Sequence, residues 1–581
     1  MLSASRLCID PVTPRLYHPT VQPVISAEQM REIDRLTTRD YQIPSLLLMQ
    51  AAAEACFNAI ATHFTGNLAG KKAQILCGPG NNGGDGAALA LQLARAGIHA
   101  DVVLFGIVTD SKGDARTNFE IARRLASFEA SGDRPSALSF AECSSLADWE
   151  KLAQPRRTYD FIVDALFGTG LTRPLDGIFQ QVVQHLNMTR QARERSSTRR
   201  PLIVSVDLPS GLNADFTKPI AEAVQADLTV AFTAPKPANV LPPASHLNGK
   251  LIVANIGSPP ALIDTANSKL FVSEENDARR WLISTRYARD SFKNTHGHAL
   301  VIAGSRGYTG AAVLCGNAAM RSGTGLVTVA TPASAQTAVA AAVMPEVMTT
   351  ALAETDRGAV SDEAISHVMQ LTSKANVIAI GPGLSAEDAR TRRFVFSVVK
   401  ERRTPVVIDA DALNCLANYA SKGWPAELQG SDVAPLVLTP HPGEMLRLLD
   451  TTDKATLDDR VAVARDFATR NKLILVLKGA RSLVASPDGR VFINPTGNAG
   501  LGTAGAGDTL TGIIAGFIAQ ANATLKENAD AVTATIAALY VSGLAGDFAA
   551  RDLGMRSMVA SDIREHLSEA IRSLDPKGEM P

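Results

Sequence analysis

Six cysteines occur in 581 residues, and no two of them form a CxxC pair: Cys8, Cys56, Cys77, Cys143, Cys315 and Cys415 stand far apart. That scatter excludes a zinc ribbon and a disulfide framework and suits a reducing compartment, so a cytoplasmic protein is expected. Net charge is nearly absent as well, with 57 Lys and Arg against 58 Asp and Glu. No global field draws such a chain to nucleic acid or to an anionic membrane, and its ligands must be sought locally. Nowhere do about 18 uninterrupted apolar residues occur, so no membrane span is expected. The Ala/Gly-rich stretch from Gly310 is interrupted by Asn317, Arg321 and Pro332. Residues 1–22 hold Arg6, Asp10 and three prolines but no apolar h-region, which reads as a loosely ordered leader rather than a secretory signal. Arg190–Arg200 packs five arginines without an aromatic residue; a solvated insertion explains this better than an RNA-binding patch.

The length exceeds what one core supports and predicts two or three domains. Hydrophobic residues at 46% and charged residues at 20% are those of a folded soluble protein. From Ile25 to about Ile256, helical segments alternate with short apolar runs that end in polar or glycine-rich turns, the rhythm of an α/β domain. Helices are predicted over Gln29–Thr38, Ser45–His63 and Gly86–Ala96, and strands over Ala73–Cys77, Phe161–Val163 and Leu202–Val206. A second alternating region has strands at Ala299–Ala303, Val377–Ile380, Val406–Ile408, Leu436–Leu438 and Leu473–Leu477. The polar segment Ser273–Asp290 between them is the expected boundary. No repeat of 20–50 residues is present.

Three clusters point to chemistry in the first region. Cys77-Gly78-Pro79-Gly80-Asn81-Asn82-Gly83-Gly84-Asp85-Gly86 is a glycine-rich cradle between a strand and a helix, and it lacks the lysine of a phosphate-binding Walker loop. Asp164 precedes Gly168-Thr169-Gly170, and Asp207 precedes Leu208-Pro209-Ser210-Gly211. Each aspartate alone is more often a helix cap or turn former, and it is the three together that point to a site. In an open parallel sheet, ligands bind outside the carboxyl ends of strands, where Asp85, Asp164 and Asp207 could converge. Oxygens of Asn82, Asp164 and Ser210 could hold a hard monovalent cation, leaving one acid for proton transfer.

These motifs closely resemble the NAD(P)H-hydrate epimerase family, the YjeF amino-terminal domain, over about Ile25–Ala261. The resemblance implies a Rossmann-like three-layer domain over 23–265. It places Asn81, Asn82, Gly83, Gly84 and Asp85, with Gly168, Thr169, Gly170, Leu171, Thr172, Arg173 and Pro174, on the hydrated dinucleotide. Potassium would lie on Asn82, Asp164 and Ser210. Asp207 would contact the substrate and act as the acid/base residue that interconverts R and S forms at C6 of the nicotinamide ring.

The second region ends in Gly502-Thr503-Ala504-Gly505-Ala506-Gly507-Asp508-Thr509, a turn that presents backbone N–H groups and a carboxylate at a helix start. Lys478-Gly479-Ala480-Arg481-Ser482 offers two cations after a strand. His441 is held between Pro440 and Pro442. Asp409 and Asp411 could orient a metal-bound phosphate or cap the helix that follows. With Gly381-Pro382-Gly383-Leu384, these runs resemble the NAD(P)H-hydrate dehydratase family, the YjeF carboxyl-terminal domain, over about Val272–Leu574. A ribokinase-like α/β domain over 272–574 is implied, with 266–290 as linker and domain start. Gly383, His441 and Asp508 would contact the hydrated dinucleotide. Lys478, Gly479, Ala480, Arg481, Ser482 and Gly507 would contact the nucleotide. Ala504 replaces a glycine that relatives often carry.

The fused arrangement implies ADP as co-substrate with Mg2+, and Asp508 as the base that readies the C6 hydroxyl for phosphorylation and loss of phosphate. AMP and phosphate would be the by-products. Small-molecule substrates and a homo-oligomer are expected, with neither nucleic acid nor membrane as partner. A ribokinase-type kinase would leave the Asn82, Asp164 and Asp207 constellation unexplained, and an RNA-binding scaffold has only the Arg190–Arg200 stretch behind it.

Overall fold

The computed structural model describes residues 22–130, 137–153, 158–194, 201–417 and 424–576. Residues 1–21 of the leader and 195–200 of the arginine stretch lie outside them. The described residues divide into two compact units, Pro23–Phe271 and a larger one made of Gln22 and the described residues from Val272 onward.

The amino-terminal unit is built on seven parallel strands in the order Leu138–Cys143, His99–Phe105, Lys72–Cys77, Phe161–Ala165, Leu202–Val206, Leu228–Phe232 and Lys250–Ala254. Successive side chains of a strand face opposite sides, and both sides are covered. Ile75, Cys77, Val102 and Leu104 enter one core with the helices Ser45–His63, Asn81–Arg95 and Gly113–Ala130. Leu76, Val103 and Phe105 enter the other with Trp149, Val182 and Leu186. The result is the three-layer, Rossmann-like domain. Strand order reverses between Lys72–Cys77 and Phe161–Ala165, which opens a crevice at their carboxyl ends.

One expectation is corrected at that crevice. The helix predicted from Gly86 begins at Asn81, with Gly80 as its N-cap, so most of the glycine-rich run is helix rather than loop. Packing overrides glycine's poor helix propensity. A Cβ on Gly83 would stand 1.9 Å from the Gly78 carbonyl oxygen, and one on Gly86 would stand 2.6 Å from Ala165 Cβ.

In the carboxyl-terminal unit, seven parallel strands run in the order Met348–Leu352, Leu326–Pro332, His298–Ile302, Val377–Ile380, Val406–Ile408, Leu436–Leu438 and Ile474–Leu477. Leu483–Ala485 and Val491–Ile493 extend the sheet antiparallel. The turns singled out in the sequence follow four neighbouring strands: Gly381, Asp409, Thr439 and Lys478 each stand next after a strand end. The long helix Ala506–Thr524 is buried almost all round. Trp281 stacks on its Phe517 with ring centroids 4.1 Å apart. The units part between Phe271 and Val272, at the edge of the expected boundary segment Ser273–Asp290, within which Glu275–Ser284 is a helix packed into the larger unit.

Two helices, Ser45–His63 and Ala531–Leu553, are long and apolar enough to cross a membrane by length and composition. Met49, Ala52, Ala53, Cys56 and Ile60 of the first, and Ala538, Val541, Ala545 and Ala549 of the second, are instead buried in the cores of their units.

Candidate functional site

A cavity of about 570 Å³ opens over the crevice of the amino-terminal unit. Asn81, Asn82 and Asp85 reach it from the first turns of the helix Asn81–Arg95, Gly168 to Leu171 from the turn after Phe161–Ala165, and Asp207 from the end of Leu202–Val206. Asp207 has φ +63°, a left-handed backbone that a β-carbon disfavours and that collects at functional positions. Its Oδ1 accepts Lys236 Nζ at 2.5 Å and the Phe232 N–H at 3.1 Å. Lys236 is wholly buried and also donates to the Phe232 carbonyl at 3.0 Å. Sequence reading missed it, although Pro235 and Pro237 bracket it in the way that drew attention to His441.

The other predicted residues are not all on this wall. Asp164 lies inside its strand and is wholly buried, accepting Ser205 Oγ at 2.8 Å, Ser210 Oγ at 2.6 Å and the Ser210 N–H at 2.9 Å. Ser210 in turn accepts the Phe167 N–H at 2.9 Å, which ties the Asp164 pocket to the cavity-lining turn. Burial pushes the Asp164 carboxyl up, against the pull of those Ser210 and Ser205 hydrogen bonds. Gly83 and Gly84 are buried in helix packing, against Gly78 and Ala115. Thr172, Arg173 and Pro174 are exposed and do not line the cavity. Two cavity carboxyls are held above the usual range. Burial, then the charges of Asp207 and Asp34, push Asp85 well up. Burial and Asp207 outweigh Lys236 and bring Asp34, absent from every motif noted above, to about 6.

In the carboxyl-terminal unit, Gly505 caps the helix Ala506–Thr524 with φ +83°, which puts Asp508 in its first turn. Burial and the Asp409 charge push the Asp508 carboxyl up to about 6, with Lys478 opposing and Asp411 and Glu444 adding to the rise. Beneath it, Lys478 Nζ donates to Asp409 Oδ1 at 2.7 Å, and Thr511 Oγ1 donates to Asp409 Oδ2 at 2.7 Å. Burial works against the Lys478 charge, but Asp409 and Glu444 hold the ammonium above the ordinary lysine value. The lysine read as a nucleotide contact is therefore already paired. It packs under Gly507, where a Cβ would come within 3.3 Å of Nζ.

The Asp409 side chain is taken up by Lys478 and Thr511, and Asp411 accepts the Ser385 N–H at 2.8 Å. The Gly383 carbonyl is held by Ser305 Oγ at 2.8 Å. His441 is the N-cap of Pro442–Leu448. Its Nδ1 accepts the Gly443 N–H at 2.9 Å, which leaves the ring proton on Nε2, 3.5 Å from Glu444 Oε1. Arg481 is turned onto the Pro495 carbonyl, and Ser482 Oγ donates to the Gly479 carbonyl at 3.2 Å. Arg460, also missed in the sequence, clamps the Lys478–Ala480 turn by donating to the carbonyls of Leu477, Lys478 and Ala480. Nothing in its local sequence signals that role, which depends on a helix folding back onto the turn.

Comparison with known proteins matches residues 45–238 to the family model of the YjeF-related protein N-terminus and residues 299–569 to that of NAD(P)H-hydrate dehydratase. The bifunctional NAD(P)H-hydrate repair enzyme Nnr of Moorella thermoacetica is 39% identical over 96% of this chain and 98% of its own length. The chain belongs to this family of bifunctional NAD(P)H-hydrate repair enzymes. The Escherichia coli member is 31% identical over 90% of this chain and 89% of its own. Among solved structures, the ADP/ATP-dependent NAD(P)H-hydrate dehydratase of Bacillus subtilis, co-crystallised with ATP and Mg2+, is 28% identical, covering 52% of this chain and 98% of that one with a TM-score of 0.43. In this repair enzyme, then, the aspartates expected to do chemistry stand at strand or helix ends near a lysine: Asp207 on the buried Lys236, and Asp508 near the half-buried Lys478, whose charge opposes the rise of its carboxyl.

Proposed function

We infer that this repair enzyme epimerises the R and S forms of hydrated NADH and NADPH in its amino-terminal unit and dehydrates the S form in its carboxyl-terminal unit at the expense of ADP. AMP and phosphate are the by-products. The observation that carries the reading is family membership over nearly the whole chain, joined to an Asp508 carboxyl whose proton affinity suits a general base near neutrality. Asp508 takes the proton of the C6 hydroxyl as the terminal phosphoryl of the nucleotide passes to that oxygen. Hydroxide is a poor leaving group and phosphate a good one, so elimination then restores the C5=C6 double bond. N–H groups at the start of Ala506–Thr524 offset the negative charge that develops. Gly383 and His441 contact the hydrate in this reading. The nucleotide lies along the 478–482 turn, held by backbone N–H groups and Ser482 rather than by the paired Lys478.

In the amino-terminal unit, Asp207 exchanges the proton of the C6 oxygen. The buried Asp164 carboxylate is surrounded by hydroxyl and amide groups, with no basic side chain against it among the described residues. A charge compensated only by neutral donors fits a potassium ion on Asn82, Asp164 and Ser210, which would supply the missing positive charge beside the substrate. Lys478 already compensates Asp409, so Asp411 is the carboxylate that would hold Mg2+, which would offset the charge of the nucleotide phosphates.

The reading includes a cytoplasmic homo-oligomer acting on free dinucleotides. What supports the compartment is that the five described cysteines, Cys56, Cys77, Cys143, Cys315 and Cys415, are unpaired and buried. The test is recovery of the reduced-nicotinamide absorbance from an R and S hydrate mixture with ADP, ATP or neither. Complete recovery with ADP supports both activities. Recovery of the S portion alone removes the epimerase, and no recovery with any nucleotide removes the repair reading.

A further inference from the structure

Resting on the epimerase reading, we propose that Asp34 is a second catalytic residue of the amino-terminal site, exchanging a proton with ring nitrogen N1 while Asp207 exchanges one with the C6 oxygen. Asp34 stands on the helix Ala27–Asp40, outside the glycine-rich motifs, yet its side chain lines the same cavity as Asp207 and Lys236. Its Oδ1 is shut off from solvent and has no hydrogen-bond partner. A carboxyl oxygen buried without a partner disfavours the ionised form, so this group faces the cavity with a proton to give. The two carboxyl groups also have unlike surroundings. Asp207 has an ammonium 2.5 Å away and a backbone N–H, whereas Asp34 has no bonded cation.

Carboxyls of unlike environment in one cavity form an acid and base pair. The charged groups facing Asp34 are Arg31 on its own helix, Asp85 on Asn81–Arg95, Asp114 on Gly113–Ala130, and Asp207 and Lys236 across the cavity. Asp114 is occupied by the Ser45 hydroxyl at 2.5 Å. Burial and the charges of Asp207 and Asp34 push Asp85 well up, while burial brings Asp34 to about 6, where it can both give and take a proton.

Proton and electron balance closes with these two groups alone. Asp207 removes the proton of the C6 hydroxyl, the oxygen lone pair forms the C6 carbonyl, and the C6–N1 bond breaks. Its electron pair goes to N1, which takes the proton of Asp34. The chain is then open, with an aldehyde at C6 and a saturated C5, and rotation about C5–C6 presents the other face. N1 attacks that face as Asp34 recovers its proton, and protonated Asp207 returns one to the oxygen. No oxidant, reductant or other reactant is consumed.

The test follows conversion of purified R hydrate to S hydrate by the full chain without nucleotide, with chromatographic separation of the epimers. Asp34→Asn should lower kcat by about 10²–10⁴ with little change in KM. In the wild type, R-to-S turnover should fall as pH rises past about 6, and the Asn variant should lose that limb. Asp34→Glu should recover at least about tenfold over Asn, as expected of a proton-transferring carboxyl, and restore the limb. Unchanged ADP-dependent dehydration of S hydrate and an unfolding transition of the amino-terminal unit no lower than that of the wild type report a folded protein, since Asn also escapes the cost of ionising a carboxyl raised on folding. Retained turnover in Asp34→Asn, persistence of the limb in that variant, or a Glu variant as inactive as Asn would overturn the assignment. A wild-type chain that does not interconvert the epimers would overturn the epimerase reading and this assignment with it.

Discussion

Replacing Asp508 with Asn should destroy dehydration and at the same time stabilise the carboxyl-terminal unit. The carboxyl is pushed from 3.8 to about 6 by burial and by Asp409, and at 1.36 kcal/mol per pH unit that rise corresponds to about 3 kcal/mol against the ionised form. Because the side chain is partly reached by solvent, about 1–2 kcal/mol should survive as a measurable difference. The sign follows from linkage. A carboxyl raised on folding costs nothing below its unfolded value of 3.8, and stability is lost as pH climbs through about 6. Asparagine escapes that loss. Thermal unfolding of the full chain at pH 7.5, read on the transition that ADP raises, should therefore show the variant about 3–6 °C above the wild type. At pH 4 most of the gain should vanish. Turnover of S hydrate should fall by about 10²–10⁴. A variant less stable than wild type at pH 7.5, or an equal gain at both pH values, would refute the claim that Asp508 is held against its ionisation.

Lys478→Met leaves Asp409, 1% exposed, without its cation and should cost about 3–5 kcal/mol in urea unfolding; adding Asp409→Asn should recover much of it. Gly78→Ala would bring a Cβ within 1.9 Å of the Leu166 carbonyl oxygen, so epimerisation should be lost while ADP-dependent dehydration of S hydrate continues. Asp164→Asn removes the buried charge that a potassium ion would balance, so epimerase activity should become low and insensitive to exchange of K+ for a bulky organic cation. In the native chain, Cys56, Cys77, Cys143, Cys315 and Cys415 should resist a thiol reagent until denaturant is added, because burial both shields them and raises their thiols.

The residue order alone was enough for the α/β architecture in two units. Strands buried on both faces read as unbroken apolar runs, and Val377–Ile380, Val406–Ile408 and Leu436–Leu438 stand where those runs are. It was also enough for the turns that bring Asn82, Asp207 and Asp508 to strand or helix ends, because glycines and prolines announce turns locally. The start of the helix at Asn81 was not legible. Isolated propensity speaks against three glycines in a first turn and a half, and only contact with Gly78 and Ala165 reverses that. The pairings that tune the sites were equally hidden. Asp409 meets Lys478 across 69 residues and Thr511 across 102, and Asp207 meets Lys236 across 29. Sequence supplies the charged groups, but burial and distance set their proton affinities, and both are properties of the folded chain. Asp34 belongs wholly to that second class: as sequence it is one acid on an amphipathic helix, and only the cavity it shares with Asp207 gives it chemistry.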